Sequence, residues 1–269
     1  MNPVVSHPLP ISNLLTSVRA ELESENYSAQ TIKAYLGQLN IFFRQVHPKE
    51  PCSVTPADIR AYLDQLAVSD LSRSTIDQAV NALSFFCKSI LDQPLNLQGF
   101  HRPPKKKAAP VLLTLDEVKR IAISAENPKH RLMIELGYTA GLRVSEVVRV
   151  RVRHLDLARL KLFVPTQDGK GEGRTTIFSG SLKDALARQV GIKSPESFLF
   201  PSERGGPLTT RAVAKFFKSA LAISGVKKLA TPHSLRHSFG AYMMKAGTDP
   251  RVVQNLLGLR RTKPVKLLG

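Results

Sequence analysis

Residues 231–240 read TPHSLRHSFG, which sets His233, Arg236 and His237 around the start of a predicted helix. Such a cluster is either a solvated turn or a site that holds an anion. His233 and Arg236 stand three apart and share a face at the helix N-terminus, where free N–H groups and the helix dipole favour negative charge. His237 is assigned to a different face, with capping or packing as its role. In TAGLRVSEV, Arg143 precedes Glu146 by three positions, so on a helix the carboxylate can hold the guanidinium. Taken alone, that pair reads as a surface ion pair. In TQDGKGEGRTTIF, Lys170 falls at the tip of a predicted hairpin among Gly169, Gly171 and Gly173, which allow close approach to a ligand. An exposed hairpin lysine is the ordinary alternative, and the spacing is not that of a Walker loop. Together, two arginines, a lysine and a histidine make a phosphodiester clamp. Guanidinium forks match the non-bridging oxygens and the added charge of a pentacoordinate phosphorus, while the lysine or histidine moves the proton of the leaving oxygen.

This chemistry needs no metal or other cofactor, and none is expected, because the sequence shows no carboxylate cluster to hold an ion. The charge balance fits a polyphosphate partner. Thirty-nine Lys and Arg against 21 Asp and Glu give a net charge of +18, a footprint shared with ribosomal and membrane-surface proteins. The N-terminus, MNPVVSHPLPISNLL, has no basic leader before an apolar core, and no apolar run approaches a membrane span. Cys52 and Cys87, the only cysteines, lack metal-ligand spacing and sit among apolar residues, which suits two buried free thiols in a reducing cytoplasm.

The elements that position these residues follow from periodicity and capping. A 269-residue chain is long enough for about two domains. Four helices are predicted between Ile11 and Leu91: a weak one over 12–24, then helices opened by Ser28, by Thr55 with Pro56, and by Ser72. Residues 92–110, DQPLNLQGFHRPPKKKAAP, lose the helical period and gather proline with Lys105, Lys106 and Lys107, the mark of an extended basic linker. The second domain, 111–258, opens on a capping box in TLDE, with Thr114 at the N-cap and Glu117 at N3. It continues through a helix, RLMIELGYTAGLRVSEVVRV, the alternating strands LKLFVP and TTIF, and further helices, a mainly α fold with a small antiparallel sheet.

The run from helical N-terminal domain and basic linker to GLRVSEV, DGKGEGR and TPHSLRHSFGAYMMKAGTDPRVVQNLLG closely resembles the tyrosine recombinases, or phage integrase family, including Xer-like and integron-type enzymes. The resemblance covers residues 12–258. It implies an N-terminal SAM-like core-binding domain over 1–91 and an α+β catalytic domain that close around double-stranded DNA. By motif match, Arg143 is the first catalytic arginine, Lys170 protonates the leaving 5′ oxygen, and His233 with Arg236 form the His-x-x-Arg pair. Lys105, Lys106, Lys107 and Arg174 are expected as DNA contacts.

The match departs after Gly258. Family members place a histidine or tryptophan directly after the glycine and the attacking tyrosine about nine residues later; here those positions hold Leu259 and Leu268. The basic stretch 259–269, with Pro264, replaces the helix that would present the nucleophile. The expectation is a truncated or frameshifted member. Of the five tyrosines, Tyr138 and Tyr242 lie in the catalytic domain, and both are assigned to packing. Two functions follow: a site-specific recombinase that acts through a 3′-phosphotyrosyl intermediate but lacks its nucleophile, or a DNA-binding regulator that competes with an intact recombinase. Relatives assemble as tetramers on paired sites, and the same is expected here only with an intact C-terminal helix. A basic transcription factor of other ancestry does not explain the set Arg143, Lys170, His233 and Arg236.

Overall fold

The computed structural model describes residues 11–104, 109–166 and 172–259. The chain divides into two compact units, Met1–Ala108 and Ala109–Gly269. In the first, α1 (Ile11–Ser24), α2 (Ala29–Val46), α3 (Pro56–Val68) and α4 (Arg73–Ser89) are the four expected helices. Their starts are set locally. The Ser28 and Ser72 side chains accept from the amides of Thr31 and Thr75, and Thr55 forms a capping box with Asp58 ahead of Pro56. Their apolar stripes meet in a core where Leu22, Leu39, Phe42, Phe43, Leu63 and Phe86 are fully buried, each such side chain contributing about 1.5–3 kcal/mol. Phe43 and Phe86 pack edge to face, 5.3 Å between ring centres. Cys87 is buried among them as expected, and burial pushes its thiol up to about 11. The side chain of Cys52 lies outside the described residues.

Part of the predicted linker belongs to this unit. Leu95, Leu97 and Phe100 pack against its core, Arg60 donates to the Gln98 carbonyl at 2.7 Å, and Arg73 donates to the Pro103 carbonyl. The stretch is irregular, as its prolines require, yet it is fastened over 92–104. Lys105, Lys106 and Lys107 lie outside the described residues.

In the second unit, α5 (Leu115–Ile123) begins at the expected Thr114–Glu117 capping box. The buried helix α6 (Pro128–Thr139) packs against α5 and against α10 (Pro232–Lys245). A single turn, α7 (Val144–Val147), follows α6. The sheet runs β1 (Leu155–Asp156), β2 (Lys161–Val164), β3 (Arg174–Ile177), all antiparallel. The β2–β3 hairpin is the predicted one; β1, two residues long, carries no alternation that a sequence could show. Leu162 pairs with Thr176, and Val164 with Arg174. Thr176 is buried and donates to the Ala140 carbonyl at 3.0 Å, which pins the sheet to the end of α6. Helices α8 (Lys183–Val190), α9 (Thr210–Ile223) and α11 (Pro250–Leu257) complete the unit. No helix among the described residues is long and apolar enough to cross a membrane.

Candidate functional site

The site is built on the turn between α6 and α7. Gly141 follows the C-cap of α6 with φ +60°, and a Cβ there would lie 2.5 Å from the Phe239 ring and 2.9 Å from Leu257. Glycine therefore serves twice, taking the left-handed conformation and letting α10 and α11 close on the turn. The close packing brings the Gly141 carbonyl to 2.8 Å from Arg236 Nη1. Two residues on, Arg143 is the N-cap of α7 and Glu146 its N3 residue, whose Oε2 accepts from the Arg143 amide at 2.7 Å.

Glu146 is the centre of the arrangement. Its Oε1 accepts from Arg143 Nη1 at 2.8 Å and from Arg174 Nη1 at 2.7 Å; its Oε2 accepts from Arg174 Nη2 at 2.8 Å and lies 3.6 Å from Arg236 Nη1. The side chain is 7% exposed. Burial by itself would raise the carboxyl pKa, but the hydrogen bonds from Arg174 and from the Arg143 amide, with the charge of Arg174, bring it down to about 2. Three guanidinium groups thus surround one carboxylate, and the centre keeps an excess of positive charge.

The same three arginines take the last carbonyls of α11 in succession. Arg174 Nε donates to Leu256 O at 2.8 Å, Arg236 Nη2 donates to Leu257 O, and Arg143 Nη2 lies 3.5 Å from Gly258 O. Cations at a helix C-terminus meet its orphan carbonyls and its negative dipole end. Gly258 adopts φ +59°, and a Cβ there would stand 2.7 Å from Arg174 Cδ, so the glycine admits the arginine to this position.

The side chains differ in access. Arg143 is 38% exposed, against 14% for Arg174 and 5% for Arg236. Arg236, expected to offer a free fork, spends both terminal nitrogens on main-chain carbonyls. Burial, then Arg143 and Arg174, lower its pKa to about 10 against the opposing pull of Glu146. His233 is exposed beside it. Partial desolvation, then His237, Arg236 and Arg143, lower the pKa of His233, so its cationic surroundings oppose protonation of the imidazole.

His237 does not occupy a different face. Its ring stands 4.6 Å from that of His233, edge to face at 88°, because residues four apart on a helix lie one above the other. Tyr242 departs from the packing assignment as well. It is 56% exposed, while its neighbours Met243 and Met244 turn inward against Phe239, Val253 and Leu257. Tyr138 is buried as expected. Lys170 lies outside the described residues; the strand leading from its hairpin is β3.

The sequence pairs Glu146 with Arg143; the structure adds Arg174 and Arg236 to the same carboxylate. On β3, Arg174 shares strand parity with Thr176, the inward residue, while the apolar Ile177 points out. Among the described residues no group of three or more His, Cys, Asp or Glu could hold a metal.

The family described as Phage integrase family matches residues 112–266, running past Gly258, and the Phage integrase N-terminal SAM-like domain matches residues 14–97. The chain is 32% identical to the tyrosine recombinase XerC of Halalkalibacterium halodurans, across 87% of this chain and 84% of that protein. It is 31% identical to the tyrosine recombinase XerA of Pyrococcus horikoshii, across 92% and 85%. Among solved structures it is similar to a lambda integrase(75-356) dimer bound to a COC' core site, with a TM-score of 0.73 and 21% identity over 96% of this chain and 99% of that one. A lambda integrase tetramer bound to a Holliday junction gives a TM-score of 0.72 and 20% identity over 94% and 75%. The likeness to these two structures concerns the fold.

Proposed function

The chain belongs to the phage integrase family, and from that premise we propose that it binds duplex DNA and seats one backbone phosphate at Arg143 and His233. The observation that carries this reading is the Glu146 centre: three arginines converge on one buried carboxylate, and only Arg143 among them keeps an open side. In this reading Arg143 gives its remaining donors to the non-bridging oxygens. Arg236 adds charge from behind, where low exposure leaves its field poorly screened. His233 donates one hydrogen bond to a phosphate oxygen and gains proton affinity once the anion arrives. Lys170 would serve as acid for the departing 5′ oxygen, as the family resemblance implies.

Breaking the strand also needs an oxygen nucleophile in line with that bond. Tyr27 and Tyr35 pack against the N-terminal core, Tyr62 and Tyr138 are buried, and only Tyr242 is exposed. Tyr242 lies six residues past Arg236 on α10, well round the helix from it. In this reading neither tyrosine of the second unit, Tyr138 or Tyr242, serves as the nucleophile. The reading is therefore occupation of recombination sites without cleavage, as a regulator or competitor of an intact recombinase. The test is a duplex titration at low salt with the full chain, alongside Arg143→Ala. Salt-dependent binding that Arg143→Ala weakens supports the reading; no binding removes it.

A further inference from the structure

Arg174 is the residue of this site whose position and expected role disagree most. It stands at the foot of the lysine hairpin, where a cation would be taken for a DNA contact. All three of its nitrogens instead bond to protein: Nη1 and Nη2 to the two oxygens of Glu146, and Nε to the Leu256 carbonyl. A Cβ at Gly258 would stand 2.7 Å from its Cδ, so the glycine leaves room for the side chain here. One guanidinium thereby joins three separate pieces of chain: β3, the α7 turn that carries Arg143, and the end of α11 that Arg236 and Arg143 also cap.

We propose that Arg174 is a positioning residue of the phosphate site: through Glu146 and the Leu256 carbonyl it fixes Arg143 and Arg236 in register with β3, and it does not itself touch DNA. This rests on the reading of the site as phosphate-binding. Glu146 accepts two arginines on Oε1 and has a third beside Oε2, an arrangement that needs its carboxylate plane held. The planar fork of Arg174 fixes that plane, which a single ammonium cannot do. Without Arg174, Glu146 is free to rotate toward Arg143 and draw the open guanidinium inward.

The experiment compares the full chain with Arg174→Lys and Arg174→Met. Duplex affinity is measured against salt, and the Glu146 side-chain carboxyl is titrated by carbon NMR. Both substitutions are expected to weaken duplex binding by about tenfold or more, lysine no better than methionine, because the fork and not the charge is what the site uses. The salt slope stays that of the parent, since no phosphate contact is lost, and the Glu146 carboxyl titrates at a higher pH than in the parent. The proposal is overturned if Arg174→Met lowers the slope by about one and lysine restores affinity, the behaviour of a direct phosphate contact. It is equally overturned if the Glu146 titration does not move. Should either variant not fold, Gly258→Ala displaces Arg174 while keeping its charge and carries the same expectations. A parent chain that binds no duplex would remove the phosphate reading, while the Glu146 titration would still test the brace.

Discussion

Glu146 and Arg174 meet through two side-by-side hydrogen bonds of 2.7 and 2.8 Å, although 28 residues separate them in the chain. The contact joins the turn that presents Arg143 to the strand that leaves the lysine hairpin. It makes the arginine cluster a folded unit, and it gives that unit a dependence on pH.

Glu146 is held well below its ordinary value of 4.5, at about 2. A depressed carboxyl pKa contributes stability that is fully present above the ordinary value and is lost as pH falls through the folded value. The contribution at neutral pH is about 3 kcal/mol. Glu146→Gln should lower unfolding free energy at pH 7 by about 3–5 kcal/mol, since it leaves buried arginines uncompensated. The parent should lose stability between about pH 4.5 and 2, and urea melts across that range should show no such decline in the variant. Equal stability of the two proteins at pH 7 would mean that the centre is not held by this carboxylate.

Gly141→Ala should destabilise the catalytic unit. The substitution places a Cβ 2.5 Å from the Phe239 ring in a backbone conformation with φ +60°, and strain of this kind costs about 1–3 kcal/mol before any repacking. Because the Gly141 carbonyl holds Arg236, duplex affinity should fall with it. Thermal melting and a binding isotherm on the same preparation check both effects.

Duplex binding should depend steeply on salt. With net charge +18 and about six phosphates neutralised, affinity falls by roughly a thousandfold between about 50 and 200 mM salt. A flat response in a fluorescence anisotropy titration would remove the electrostatic basis of the account.

Replacing Lys105, Lys106 and Lys107 together by alanine should weaken binding to all sequences alike and flatten the salt slope, since a cationic strap meets backbone charge rather than base edges. Unchanged affinity would make this run a solvated connector.

Much of the scaffold was legible because its signals are local. Ser28, Thr55, Ser72 and Thr114 each sit at a cap that two or three neighbouring residues define, and all four helix starts follow. The chemistry-bearing types were legible too, because Arg143, His233 and Arg236 lie in compact motifs. What escaped depends on distant chain. Leu95, Leu97 and Phe100 lack any period, so their docking on the N-terminal core has no sequence signature. Arg236 is sealed by carbonyls from Gly141 and Leu257, and Arg174 is claimed by Glu146. His237 was misplaced by a simpler fault, since a spacing of four already sets it over His233.

The central proposal is that a phosphate site anchored on Glu146 binds duplex DNA without cutting it. The most direct measurement incubates the full chain with nicked duplex under conditions where binding has been shown, then resolves the mixture on a denaturing gel. The account predicts free protein and free DNA only, for the parent and for Tyr242→Phe alike. A protein–DNA band that survives boiling, present in the parent and absent in Tyr242→Phe, would contradict it and make the exposed tyrosine of α10 the nucleophile.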